Sequence, residues 1–134
     1  IDYESFAENG TMLGSGGCIV IGDDANMPEV LKVILQFYHH ESCGQCTPCR
    51  EGTGWLDMIL DRMLNGEGRP KDLELLDRIG NNMMGTTICV LADAAVMPAQ
   101  SFVKKFRHEF EALLPDMDDP EDYIPTTSAA EMPR

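Results

Sequence analysis

The stretch that decides the fold of this 134-residue chain is ESCGQCTPCREG, residues 41–52. Cys43, Cys46 and Cys49 follow one another at three-residue intervals, so one short loop presents three thiols. A cubane iron-sulfur cluster is held by four cysteine thiolates, and a C-x2-C-x2-C loop supplies three of them. The spacing therefore predicts a [4Fe-4S] site whose fourth ligand comes from elsewhere in the chain.

The candidate for the fourth ligand is Cys89, in the run GTTICVL at residues 85–91. It lies 40 residues beyond Cys49, so tertiary folding has to deliver it to the loop. The fifth cysteine, Cys18, belongs to the apolar run CIVI at residues 18–21. Because free cysteine is among the most often buried residue types, we interpret Cys18 as a packing residue and not as a ligand.

Other uses of the cysteines stay open at this point. A four-cysteine zinc site would use the same thiolates, although structural zinc usually takes paired C-x2-C motifs. Disulfides are disfavoured because the cysteine count is odd and no secretory signal opens the sequence. His39 and His40 precede the loop, but imidazole ligation needs converging partners that the sequence does not indicate, so we interpret them as the exposed end of a helix.

Arg50 follows Cys49 directly and has two interpretations. It either adds positive charge beside the thiolates or is a surface arginine that caps nothing. The helix expected after it would direct free backbone amides toward the thiolates, and these also favour a negative charge.

The composition excludes two classes of function. A net charge of −13, from 23 acidic and 10 basic residues, would repel the backbone of a nucleic acid. No apolar run approaches the roughly 18 residues that a membrane span requires, so we expect no direct membrane insertion. Thiolate ligands, as opposed to disulfides, indicate a reducing compartment.

Helical periodicity begins at Pro28, a residue suited to a first helical turn, and predicts four helices within residues 28–114. The fourth is expected within 94–114 and to start near Pro98, because an interior proline removes a backbone hydrogen bond. Four antiparallel helices joined by short loops make a bundle, so the chain is predicted to be mainly α. The predicted helices and their buried residues are 28–38 with Val30, Leu31, Val33, Ile34, Phe37 and Tyr38; 50–64 with Trp55, Leu56, Ile59, Leu60 and Met63; 71–84 with Leu73, Leu76 and Ile79; and the fourth with Ala99, Phe102, Val103, Phe106 and Phe110.

The flanking segments differ from the bundle. Residues 1–27 contain glycine-rich turns around one short apolar run at 18–21, which we predict to be a buried strand. Residues 115–134 are acidic and proline-rich, a composition typical of a solvated tail. The chain opens on Ile1 without a methionine, so we expect it to be part of a longer polypeptide.

Three motifs together carry a resemblance: ESCGQCTPCREGTGW at 41–55, GTTICVL at 85–91 and QSFVKKFRHEF at 100–110. In composition, order and separation they resemble the C-terminal part of the NADH-binding flavoprotein subunits of respiratory complex I, and the likeness covers nearly all of residues 1–114. It implies that Cys43, Cys46, Cys49 and Cys89 hold a [4Fe-4S] cluster that accepts electrons from FMN. A departure at 91–95, LADAA where the family commonly has LGDAA, leaves that ligand set intact.

The resemblance also implies a domain organisation. The run GSGGCIV at 14–20 is similar to the end of the ubiquitin-like β-grasp (SLBB) domain that precedes the helical bundle in that family. Residues 1–27 are then the end of an SLBB-like domain, residues 28–114 the four-helix bundle that binds the cluster, and residues 115–134 an acidic tail.

The implied activity is that of an NADH dehydrogenase (quinone), an oxidoreductase. The chain would pass electrons from FMN, reduced by NADH, to the next cluster of the complex. The family's glycine-rich FMN and NAD sites would lie upstream, and none of their motifs is in this chain, so we expect no catalytic residue and no FMN here. The implied partners are the small [2Fe-2S] thioredoxin-like subunit and the large multi-cluster subunit.

The implied location is the peripheral arm, on the cytoplasmic side of a bacterial inner membrane or on the mitochondrial matrix side. Diaphorase subunits of NAD-linked hydrogenases and formate dehydrogenases share this module. They remain the alternative within the same chemistry, and a zinc-stapled interaction domain remains the alternative outside it.

Overall fold

The computed structural model describes residues 2–9 and 11–115, and these residues contain six helices and no strand. The mainly α prediction is confirmed. The helices are α1 (Tyr3–Glu8), α2 (Met27–Glu41), α3 (Thr47–Leu64), α4 (Asp72–Met83), α5 (Leu91–Lys105) and α6 (Arg107–Glu111).

Helices α2 to α5 form the predicted bundle. Each packs against its neighbour in the chain, and α2 closes the ring by packing against α5. Leu31 and Leu35 of α2 are one turn apart and meet Leu56 and Leu60 of α3 in the core, where all four are at most 1% exposed. Because short loops join consecutive helices, neighbours run antiparallel, and both the α2–α3 and α4–α5 connections lie at the same end of the bundle.

The opposite end of the bundle is closed by α6. The backbone N–H of Met27, at the start of α2, donates to the Glu109 carboxylate at 2.9 Å. Asn26 caps the same helix by accepting from Glu29 N–H at 3.0 Å. An acidic side chain is favourable at a helix N-terminus, so Glu109 both satisfies a free amide and fixes the position of α6.

Helix α3 begins three residues earlier than predicted. It starts at Thr47 with Cys46 as its N-cap, so Cys49 is a helical residue in the first turn. Pro48 explains the earlier start, because its fixed φ suits the first turn and its missing N–H costs nothing there. The third cysteine of the loop therefore has a position set by a helix.

The prediction that the fourth helix starts near Pro98 is wrong. Helix α5 starts at Leu91 and carries Pro98 in its interior. Ala92, Ala95, Val96 and Ala99 are buried on both sides of the proline, and this packing outweighs one lost backbone hydrogen bond. The helical run instead breaks at Phe106, where φ is −117° and ψ is 32°, and resumes as α6.

The predicted buried strand at 18–21 is also wrong. Residues 17–22 have no regular secondary structure, Cys18 is exposed, and Ile19 and Val20 are 83% and 92% exposed. A strand needs a neighbour for its backbone hydrogen bonds, and the described ranges offer none to this segment. The short helix α1, capped by Asp2 accepting from Ser5 N–H at 2.7 Å, was not predicted. The predicted tail beyond residue 115 lies outside the described residues.

Three large side chains predicted to be buried lie on the surface. Trp55 is 49% exposed, Val33 67% and Phe37 57%. The apolar stripes on α2 and α3 are wider than the faces that contact other helices, so their margins stay in solvent. Across residues 2–9 and 11–115, the helices are all too short or too polar to cross a lipid bilayer.

Lys32 joins α2 to α3 electrostatically. Its Nζ lies 2.8 Å from Asp57 Oδ1 and 2.9 Å from Asp61 Oδ1, and its side chain is only 12% exposed. Burial disfavours the charged ammonium, but the hydrogen bonds and negative charges of the two aspartates outweigh burial and raise the pKa of Lys32 above its ordinary value.

A pair of phenylalanine variants tests which side chains form the core. Phe110→Ala is expected to lower the free energy of unfolding by about 3–5 kcal/mol, because Phe110 is fully buried. Phe37→Ala should change it by less than about 0.5 kcal/mol, as is usual for a surface site. Urea unfolding measures both, and equal losses would contradict the placement of α6.

A second prediction concerns pH. Lys32→Met should lower the free energy of unfolding by about 1–3 kcal/mol at neutral pH, since two carboxylates lose a charged partner. Because the folded-state pKa is raised, the contribution of Lys32 is fully present below its unfolded pKa of about 10.4 and is lost as pH rises through the folded value. The difference between the two proteins should therefore shrink only above about pH 10. Lys104→Met, at an exposed position, controls for general lysine titration. If the difference in unfolding free energy between wild type and Lys32→Met shrinks already below about pH 9, the raised pKa of Lys32 is contradicted.

Candidate metal centre

The three-cysteine loop is a short connection between two helices. Ser42 ends α2, with its N–H donating to Tyr38 O at 3.1 Å, and Cys46 begins α3. Gly44 lies between them with φ +76°, a left-handed conformation that glycine adopts without steric cost. The chain therefore reverses direction within the five residues 42–46, and this turn keeps Cys43 and Cys46 close to the ends of the two helices.

The loop that carries Cys89 spans residues 84–90, between α4 and α5. Its first residues are tied to both flanking helices, because Gly85 N–H donates to Asp93 Oδ1 of α5 at 2.8 Å and the Thr86 hydroxyl donates to Met83 O of α4 at 2.8 Å. The Thr87 hydroxyl donates to the carbonyl of Cys89 itself at 2.8 Å. These contacts fix the loop without using the Cys89 thiol.

The two loops meet at the sulfur of Cys46. The backbone N–H of Ile88 points at Cys46 Sγ from 3.5 Å, across 42 residues of sequence. Cys89 is the next residue, so folding brings it to the end of the bundle that holds the other three cysteines. All five cysteines of the chain are free thiols, and no disulfide competes for them.

Burial divides the four cysteines into two pairs. Cys49 is 7% exposed and Cys46 is partly buried, whereas Cys43 and Cys89 are exposed. Each inner sulfur has a polar neighbour: the Ile88 amide faces Cys46, and the Ser42 hydroxyl lies 3.2 Å from Cys49 Sγ. The inner pair is therefore less accessible to water than the outer pair, which faces solvent.

The N-terminus of α3 suits an anionic group. This helix is 18 residues long, and its N-cap Cys46 makes no side-chain capping hydrogen bond. The first-turn amides carry the positive end of the helix dipole and still need an acceptor. A negatively charged metal-thiolate group at this end would meet that need.

Arg50 ties the loop to α3. Its Nη1 donates to the Gly44 carbonyl at 2.7 Å, and its Nε donates to Glu51 Oε1 at 3.0 Å. The interpretation of Arg50 as a surface arginine that caps nothing is therefore wrong. Its side chain is 48% exposed and its guanidinium is paired with a carboxylate, so its field on the thiolates is partly screened.

Other residues near the loop have structural roles. His39 Nδ1 lies 3.7 Å from Asp57 Oδ2, and the His39 ring packs closely against Gly54 of α3. Thr53, which is 1% exposed, donates its hydroxyl to the Cys49 carbonyl at 2.8 Å. Sequence reasoning missed both Thr53 and Ser42. Thr53 follows Cys49 by four residues on the same helix face, a signal that was present in the sequence.

The chemistry of the donors fits an iron-sulfur cluster. In a cubane each of four cysteine thiolates binds a different iron, so the site needs four cysteine sulfurs at one end of the fold. The four free thiols, the amide and hydroxyl directed at the inner sulfurs, and the uncapped helix end fit a [4Fe-4S] cluster.

Comparison with known proteins gives the same chemistry. Residues 29–113 match the model of the NADH-ubiquinone oxidoreductase-F iron-sulfur binding region. Over 112 residues, 84% of this chain, the sequence is 45% identical to the F 2 subunit of the NADH-quinone oxidoreductase of Rhizobium meliloti (strain 1021). Over 111 residues, 83% of this chain, it is 40% identical to the mitochondrial NADH dehydrogenase [ubiquinone] flavoprotein 1 of Dictyostelium discoideum.

Among solved structures, the chain resembles an NAD+-reducing [NiFe]-hydrogenase in its H2-reduced state, with a TM-score of 0.69 and 29% identity over 74% of this chain and 17% of that one. The matched regions cover 27% of the Rhizobium relative and 23% of the Dictyostelium relative. The chain therefore spans about a quarter of the length of these curated relatives.

The charge of Arg50 is testable through the reduction potential. Arg50→Gln should lower the potential of the iron-loaded protein, because an added electron loses a nearby cation. The shift should shrink as salt rises from about 0.05 to about 0.5 M, since the Arg50 side chain is half exposed. Redox titration followed by electron paramagnetic resonance measures the potential.

Arg107→Gln is the matched control, because Arg107 is also an exposed arginine paired with a glutamate. Its Nε lies 2.7 Å from Glu111 Oε1, but it is on α6 at the other end of the bundle. Equal shifts in the two variants would show that only net charge matters and that the position of Arg50 does not.

Proposed function

Because this chain belongs to the NADH-ubiquinone oxidoreductase-F iron-sulfur binding family, we propose that it holds one [4Fe-4S] cluster on Cys43, Cys46, Cys49 and Cys89 and relays electrons within an NADH:quinone oxidoreductase. The main support for the ligand assignment is the contact between the Ile88 amide and Cys46 Sγ. It indicates that the neighbouring residue, Cys89, lies near the three-cysteine loop. A bound cluster of this kind supplies one-electron transfer.

The chain's own residues would determine how that electron is held. With four cysteine ligands, every iron of the cluster would have a thiolate in its outer coordination position, so no position is left for a substrate. The chain then needs no acid or base catalyst. The Ile88 amide, the Ser42 hydroxyl and the first turn of α3 all favour negative charge on the inner sulfurs, which stabilises the reduced state. Burial of Cys49 keeps water away from that side.

In the proposed pathway, electrons come from FMN that NADH has reduced at sites upstream of these residues in the longer subunit. They leave for the next cluster, carried by a partner subunit. We assign the small [2Fe-2S] thioredoxin-like subunit and the large multi-cluster subunit as partners, in a peripheral arm on the cytoplasmic side of a bacterial membrane or on the mitochondrial matrix side. The relatives' names and the shared iron-sulfur region support this proposal.

We propose that the chain has three segments. Residues 28–114 as the cluster-binding domain agree with the family match at 29–113 and with helices α2 to α6. The assignment of residues 1–27 to the end of an SLBB-like domain rests on the GSGGCIV run alone, and that run is irregular in the structure. The assignment of residues 115–134 as an acidic tail rests on composition.

A second candidate is a diaphorase module of an NAD-linked hydrogenase or formate dehydrogenase. The likeness to the NAD+-reducing [NiFe]-hydrogenase favours it, with 30% identity and the same TM-score of 0.69 for the air-oxidised form. The cluster and its ligands would be the same in both candidates. The subunits that co-purify with the intact protein separate them, because a nickel-containing partner is expected only for the hydrogenase.

Serine substitution tests the ligand set. Cys89→Ser is expected to lose most of its iron and sulfide, nearly as much as Cys46→Ser, because a cubane without one of its four thiolates is open to water and oxidant. Cys18→Ser, at an exposed position in the irregular segment, should keep about four irons and four sulfides per chain. Iron and sulfide analysis measures all three, with visible absorption that bleaches on reduction as a second readout.

Two outcomes would overturn this proposal. A full cluster in Cys89→Ser would remove Cys89 from the ligand set. Stoichiometric zinc and no sulfide in the anaerobically purified wild-type protein would favour the zinc-stapled interaction domain instead.

A further inference from the structure

We propose that Ser42 tunes the reduction potential of the cluster by donating its hydroxyl hydrogen to the thiolate of Cys49. This inference rests on the proposed function, because it requires Cys49 to be a cluster ligand. It adds a residue beside the four cysteines that does not itself bind iron.

The position of the hydroxyl is set by two helices. Ser42 is the C-cap of α2 and Cys49 lies in the first turn of α3, so the 3.2 Å contact between Oγ and Sγ bridges the two helix ends. Thr53 fixes the other side of Cys49 by donating to its carbonyl. Both partners are therefore held in place by elements of the bundle and not by the loop alone.

The direction of the hydrogen bond follows from the chemistry of the two groups. A cysteine that binds iron is a thiolate and has no hydrogen to give, so only the serine hydroxyl can donate. The backbone N–H of Gly44 lies 3.4 Å from Ser42 Oγ and donates to it. That contact occupies a lone pair of the oxygen and leaves the hydroxyl hydrogen free to point at the sulfur.

Burial makes this bond matter for the redox equilibrium. Cys49 is the most buried of the four cysteines, and a hydrogen bond to a charged acceptor is stronger where water is excluded. An added electron increases the negative charge on the ligand sulfurs, so the bond stabilises the reduced form more than the oxidised form. Removing the hydroxyl should therefore lower the reduction potential, and no proton has to move.

Neighbouring polar groups do not duplicate this contact. The Thr53 hydroxyl is committed to a carbonyl, and the Ile88 donor at Cys46 is a backbone amide that substitution leaves in place. Thr47 lies in the first turn of α3 but is exposed to solvent. A change at Ser42 thus removes one donor from one sulfur.

The test is a redox titration of the intact iron-loaded protein, followed by electron paramagnetic resonance. Ser42→Ala should lower the potential, with a roughly threefold to tenfold fall in the equilibrium constant for reduction, or about 30–60 mV for one electron. Ser42→Thr keeps the hydroxyl and should stay close to the wild-type value. Thr47→Ala, the matched control, removes a hydroxyl from the same cysteine motif and should have no effect.

A second measurement can be made on the wild-type protein alone, so it does not depend on the stability of any variant. In the reduced wild-type protein, electron-nuclear double resonance should detect a hydrogen coupled to the cluster that exchanges within a short incubation in D2O, faster than a protected backbone amide. That signal should persist in Ser42→Thr. Its absence from the wild-type protein, or an unchanged potential in a Ser42→Ala protein that holds its cluster, would overturn the role of Ser42.

The iron and sulfide content of the wild-type protein separates the two proposals. A wild-type protein without the cluster would refute the proposed function and this inference together. A wild-type protein with four irons and four sulfides, and a potential that does not respond to Ser42→Ala, would refute the role of Ser42 alone.

Discussion

The antiparallel packing of α2 to α5 is the constraint on which the rest of this structure depends. Its core is made of aliphatic side chains one turn apart, such as Leu31 and Leu35 against Leu56 and Leu60. Once these helices pack, the α2–α3 and α4–α5 connections lie at one end. The contact of the Ile88 amide with Cys46 Sγ is a consequence of that arrangement, and it spans 42 residues of chain.

The same arrangement gives the site its asymmetry. The inner sulfurs of Cys46 and Cys49 have polar neighbours, the Ile88 amide and the Ser42 hydroxyl, and lie close to the N-terminus of α3. The outer pair, Cys43 and Cys89, is exposed. In the proposed relay, the surroundings of Cys46 and Cys49 would stabilise the added charge. The exposed side at Cys43 and Cys89 would allow a redox partner to come close to the cluster. Both features come from backbone geometry more than from charged side chains, since Arg50 is bound to Gly44 and Glu51.

Local sequence patterns were sufficient to predict most of the helices. Apolar periodicity located α2 and α4 to within three residues at either end, and the C-x2-C-x2-C spacing indicates three of the proposed ligands. The patterns failed where packing decides. Helix α5 continues through Pro98 because buried alanines hold both of its halves, and the apolar run at 18–21 forms no strand because none of the described segments pairs with it.

The sequence by itself determined which residues have the chemistry for a cluster, because thiol identity and spacing are local properties of the chain. Only the tertiary structure decided how those thiols differ from one another. Burial of Cys49, exposure of Cys89 and the Ser42 hydroxyl on Cys49 Sγ all depend on where α2 ends and where α3 begins. Those positions follow from the packing of side chains distant in sequence, which no local pattern encodes.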